Sequence, residues 1–136
     1  MEDVTHSYRV VAADVTGFDL INKDSPFEHG RVLDYSIEQE QKLDFERQLM
    51  AYITSVVVVN KSNDEQLLDF KTICFFEPKI FDQHITILPE RTFKITPAVK
   101  DSMSRVAVGI TRGLMCARLK DTYISNAILP LLPFEF

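Results

Sequence analysis

Residues 96–136 read TPAVKDSMSRVAVGITRGLMCARLKDTYISNAILPLLPFEF, and the fold turns on how the first half of this stretch is read. Thr96 suits a helix N-cap and Pro97 the first helical position. Val99, Met103, Val106, Ile110, Leu114 and Ala117 then recur at helical spacing on one narrow face, which predicts a core stripe. Val108, Met115 and Leu119 fall on the opposite face, among Ser104 and Thr111, where a monomer's surface helix would carry charge. Either the chain's own tail, residues 128–136, covers this second face, or another copy does. The second reading makes Val108, Met115 and Leu119 an oligomer interface. Arg112 and Gly113 are read as structural, Gly113 permitting close approach of the tail or of a neighbouring helix.

Working outward, the preceding segments read as strands. Residues 7–21 are rich in β-branched and small apolar side chains, with an alternation broken near Asp14 that suggests a bulge. Residues 22–30 are polar and contain Pro26 and Gly30, a loop. A long period-two signal follows, with Leu43, Phe45, Leu49, Ala51, Ile53, Val57 and Val59 against Lys42, Asp44, Glu46 and Gln48. Arg47 interrupts it. Residues 32–40 extend this strand or form another, and 38–41 could also make a helical turn. Residues 60–65 are a turn by composition, and Leu68, Phe70, Cys74 and Phe76 alternate on the next strand. Residues 80–88 read as a last strand. Strands first and helix last predict an α+β fold: a four-stranded antiparallel sheet followed by a long C-terminal helix packed on one face, in a single domain over 1–136.

Composition narrows the function classes. With 46% hydrophobic residues, 26% charged and a net charge of −5, the chain lacks the basic patch of a nucleic-acid binder. The longest apolar run, residues 56–59, is far short of the roughly 18 residues that span a bilayer. The N-terminus has no basic, apolar secretory pattern, and Cys74 and Cys116 sit in apolar surroundings, so a reducing, cytoplasmic setting is expected. His6, His29 and His84 have no metal-ligand spacing, and four glycines build no phosphate loop. Glu38, Glu40, Asp44 and Glu46 read as a solvated strand face rather than a catalytic pair. The expectation is no enzyme, no metal and no cofactor. Aromatic content on strands, Phe45, Phe70, Phe75, Phe76, Phe81 and Phe93, is core by default, and any excess becomes a binding surface.

Three segments give the chain a resemblance to the SecB export chaperones and their SecB-like relatives. Ile21-Asn22-Lys23-Asp24-Ser25-Pro26-Phe27-Glu28 is similar to the family's Lys-Asp-x-Ser-Phe-Glu segment, with the serine displaced and Pro26 inserted. The strand-turn-strand over residues 45–76, ending in phenylalanine, is the second. The third is Ile110-Thr111-Arg112-Gly113 followed by Ile128-Leu129-Pro130-Leu131-Leu132-Pro133-Phe134, which resembles the family's Ser-Arg-Gly and Leu-x-Pro-x-x-Phe tail. The sequence departs from the family at Lys71-Thr72-Ile73-Cys74, at Thr96-Pro97-Ala98, and in having no acidic tail. The resemblance implies dimers stacked into tetramers and ATP-independent holding of unfolded polypeptides in apolar grooves. It also implies a translocase motor, SecA, bound by acidic residues whose matches here are Asp24, Glu28 and, more loosely, Asp69. The groove is expected beside the second strand and the tail, at Leu43, Phe45, Leu49, Ile124 and Ile128. An adaptor with one fixed partner and a small ligand-binding α+β domain are the alternatives.

Overall fold

The structure is a computed structural model that describes residues 7–21, 33–62, 64–122 and 124. Four strands, β1 (Tyr8–Leu20), β2 (Leu33–Asp44), β3 (Leu49–Asn60) and β4 (Glu65–Pro78), form one antiparallel sheet in the order β1-β4-β3-β2. A helical turn, α1 (Phe81–His84), leads into a separate hairpin of β5 (Ile85–Leu88) and β6 (Thr92–Ile95). Helix α2 (Pro97–Leu119) then lies across the sheet. The expected fold stands, but two strands are not where the alternation put them.

The long strand signal is two strands and a turn. The Asp44 carboxylate accepts the backbone N–H groups of Glu46 and Arg47 at 3.1 and 3.0 Å, and Gln48 takes the left-handed conformation with φ 56°. A short acidic side chain that bonds the backbone ahead of it competes with the ladder and reverses the chain. Because β2 and β3 pair Leu43 with Met50, the inward parity switches at the turn: Leu43 shares a face with Met50, Tyr52, Val56 and Val58, while Ala51, Ile53, Val57 and Val59 of the expected run lie on the other face. The segment expected as the last strand belongs outside the sheet, in α1 and β5. The β5–β6 turn holds Glu90 and Arg91 at φ 63° and 60°, a left-handed pair that non-glycine residues adopt at some cost. In β1 two bulges, at Val11 and Thr16, flank Asp14. The Thr96 hydroxyl does not cap α2. It donates to the His84 carbonyl at 3.2 Å and so ties the helix entry to α1.

Helix α2 buries Val99, Met103, Ala107, Thr111, Met115 and Leu119, every fourth residue, with Ser104 and Val108 beside them. Residues four apart drift around a helix by about 40° per step, so this buried ridge winds around the axis as the helix passes over the sheet. The sequence stripe had assumed a seam parallel to the axis. In the structure Val106, Ile110 and Leu114 of that stripe are half-buried and Ala117 is exposed.

The core beneath α2 has two apolar halves. One gathers Met50, Tyr52, Cys74, Phe76, Val99, Met103 and Ala107, the other Val56, Val58, Phe70, Val108, Met115 and Leu119. Between them runs one cross-strand row, Gln39–Thr54–Thr72–Val15. Gln39 donates its amide to the Thr54 hydroxyl at 3.2 Å and to the Ser104 carbonyl at 3.3 Å. The Thr111 hydroxyl donates to the Ala107 carbonyl at 2.7 Å, which leaves its oxygen to accept from Thr72, also at 2.7 Å.

Burial also sets an alkaline limit. Desolvation pushes the Cys74 thiol up from 9.0 to about 11 and the Tyr52 phenol well above its ordinary value. Both fold in their neutral forms. Below pH 9.0 the unfolded thiol is protonated too and stability is full; it is lost as pH rises from there toward about 11. Urea midpoints should therefore fall across this window, and Cys74→Ala should flatten part of the fall. An unchanged slope in that variant would remove Cys74 as a cause.

Candidate polypeptide-binding channel

The cover that α2 gives the sheet is uneven. It packs on β3 and β4 and leaves β1 largely bare. By register, Tyr8, Val10, Ala13, Val15, Phe18 and Leu20 of β1 face the same side as the buried β4 row Pro78, Phe76, Cys74, Thr72, Phe70 and Leu68. The two ends are covered, Tyr8 and Leu20 each at 7% exposure, while Val10 at 42% and Phe18 at 36% stand open between them.

The facing wall comes from the helix. Ser102, Val106, Ile110, Leu114 and Arg118 form the fourth-residue ridge next to the buried one. Its two ends are fastened to β1. The Tyr8 and Ser102 hydroxyls share a hydrogen bond, and the Arg118 guanidinium lies over the Phe18 ring at 5.9 Å. Phe18 in turn sets its ring edge-on to Phe70, with centroids 5.9 Å apart. Val106, Ile110 and Leu114, half-buried, line the wall between these fastenings. The result is an apolar channel about 24 Å long, set by the helical rise from Ser102 to Arg118, room for an extended segment of roughly seven residues at about 3.3 Å each. Among the described residues β1 is an edge of its sheet, the kind of position at which an extended segment can add as a strand, although the Val15 N–H is already donated to the Asp14 carboxylate at 2.8 Å.

The residues expected to build a groove do not meet. Leu43 is buried in one half of the core and Ile124 in the other, beside Leu20 and Leu119, so neither can wall an open groove. Their alternation and apolar character marked them as core, not surface. Phe45 lies in the β2–β3 turn with the Arg91 guanidinium 4.9 Å above its ring, and Leu49 opens β3 half-buried. Ile128, Asp24 and Glu28 lie outside the described residues. Asp69 sits half-buried on the opposite sheet face, directly across from Asp19.

The interface expectation needs a correction. Val108, Met115 and Leu119 pack into the chain's own core against Val56, Val58, Leu68 and Phe70. They need no second copy, because the ridge that winds under the helix is the one that meets the sheet. Of the stripe taken for core, Val99 and Met103 are buried as expected, while Val106, Ile110 and Leu114 are half-buried and form the channel wall. Gly113 also loses its intrachain reason: a Cβ there would meet nothing within 4 Å, and the same holds at Gly109. Gly113→Ala should then stabilise the chain by about 1 kcal/mol through helix propensity alone. A loss of stability or of assembly in urea and gel-filtration measurements would place a second copy against that face.

On the outer sheet face Glu38, Glu40, Ile53, Ser55 and Lys71, with Gln39, line an open hollow of about 260 Å³. Among the described residues no three His, Cys, Asp or Glu side chains gather as a metal site, and no helix is long and apolar enough to cross a membrane.

A solved structure shares this fold. The SecB-like chaperone Rv1957 of Mycobacterium tuberculosis, in complex with a ChAD peptide from the HigA1 antitoxin, superposes with a TM-score of 0.64 over 96% of this chain and 93% of that one. The chain has the SecB-like fold. Identity is 14%, so the likeness is one of architecture. No protein-family model matches the sequence, and no curated relative does. The SecB-like frame in this chain is the four-stranded sheet with α2 on one face, and the channel lies along its β1 edge.

Proposed function

We propose that this protein holds extended apolar segments of other polypeptides, without ATP, in the channel between β1 and α2. The observation that carries the reading is the bare row Val10–Ala13–Val15–Phe18 facing the half-buried ridge Val106–Ile110–Leu114. Apolar side chains of a bound segment fill the channel, and its backbone pairs with the edge of β1. The similarity to a chaperone solved with a bound peptide supports it. On this reading the protein is no enzyme, takes no cofactor and works in the cytoplasm as a dimer or tetramer. Delivery to the motor SecA belongs to the same reading. Its support is the acidic outer face, where Asp14, Asp19, Asp69, Asp34, Glu38 and Glu40 outnumber Arg9, Lys42 and Lys71.

Light scattering tests it. Three unrelated denatured clients, each diluted into a stoichiometric excess of the protein, should aggregate more slowly. No delay with any of them would end the holding reading. A second reading is a dedicated partner, favoured by the neighbour's peptide coming from one antitoxin. Delay for a single client only would select it.

A further inference from the structure

Resting on the holding function proposed above, the next inference concerns what the channel selects. We propose that it prefers apolar segments that carry an aspartate or glutamate, because Arg118 offers a free guanidinium at the Phe18 end. Arg9, Arg47 and Arg105 each have a carboxylate partner, Glu77 at 2.8 Å, Asp44 at 3.9 Å and Asp101 at 2.9 Å. Arg118 has none among the described residues, and its guanidinium lies 5.9 Å from the centre of the Phe18 ring. At that distance the ring leaves the N–H donors available, and a planar guanidinium matches a carboxylate. One side chain therefore supplies both part of the apolar wall and a set of donors.

The geometry couples the two. In an extended segment successive side chains point to opposite sides. An apolar residue seated against Phe18 and Leu114 leaves its neighbour at the channel rim, where Arg118 stands. At the opposite end the hydroxyls of Tyr8 and Ser102 bond each other. A single carboxylate would thus fix the direction in which a segment lies. The chain's overall charge of −5 works against acidic ligands, so a preference for them has to be local.

The test uses three fluorescein-labelled nonapeptides with the same apolar residues and with glutamate, glutamine or lysine at the alternate positions, followed by anisotropy. At about 50 mM salt the glutamate peptide should bind about fivefold more tightly than the glutamine peptide, and the lysine peptide most weakly. The gap should shrink near 500 mM salt, where screening is within about 5 Å. Arg118→Gln lowers both affinities through lost packing but brings the glutamate-to-glutamine ratio to one. Arg118→Lys keeps part of the ratio, and Arg91→Gln, away from the channel, keeps all of it. Equal binding of the glutamate and glutamine peptides overturns the selectivity, and a ratio that survives Arg118→Gln in a protein with wild-type circular dichroism overturns its assignment to Arg118; either leaves the holding function standing. If none of the three peptides binds, the holding function falls and the selectivity with it.

Discussion

Phe76→Ala should lower the unfolding free energy by about 3–5 kcal/mol. The ring is fully buried and stands at the centre of an aromatic trio, edge-on to Tyr8 at 5.5 Å and to Tyr52 at 5.3 Å. Tyr8 belongs to the edge strand and Tyr52 to β3, so one side chain joins three strands. Collapse around the lost ring is resisted on both sides, which keeps the cavity term large. Urea titration with an unchanged slope is the measurement. A loss below about 1 kcal/mol would mean that the trio repacks freely and does not anchor the closed end of the channel.

Val10→Gln combined with Phe18→Gln should weaken client holding about thirtyfold. Each side chain is still open by more than a third, so a bound segment gains roughly 1 kcal/mol from covering each, and about 2 kcal/mol is about thirtyfold in affinity. Fold stability should change little, because neither residue is buried. Ile87→Gln, equally apolar and exposed but on β5, is the control and should leave holding intact. Equal loss in the control, or none in the double variant, would move the binding surface away from β1.

The fold was legible because its signals are local. Thr96-Pro97, the period-two runs and the polar turn at residues 60–65 each declare an element without tertiary information. The β2–β3 turn was not, because β3 is apolar on both faces, so the odd-numbered run from Leu43 to Val59 continues in sequence past a reversal that switches the inward face to Met50, Tyr52, Val56 and Val58. The channel was half legible. Val106, Ile110 and Leu114 announced a face, but periodicity reports that a face is apolar and not what it meets. Which ridge touches the sheet depends on how the helix lies across the strands, and that is set by packing. Val10 and Phe18 were hidden by the two bulges, which shift the side-chain phase of β1 at Val11 and again at Thr16. Arg118 carried no signal at all in sequence, since its role depends on a ring a hundred residues away in the chain.

The row of hydroxyls and amide under α2 has a consequence for motion. A ridge of every-fourth residues resting on apolar strands could glide one turn along its own direction at small cost, since one large side chain resembles the next. Thr111 acts as a detent. After a one-turn step Thr111 would lie over aliphatic rows, and the buried hydroxyl of Thr72 would lose its partner. The helix is thereby indexed to one position on the sheet, and with it the far wall of the channel. A client that levers against that wall meets a stop rather than a slide.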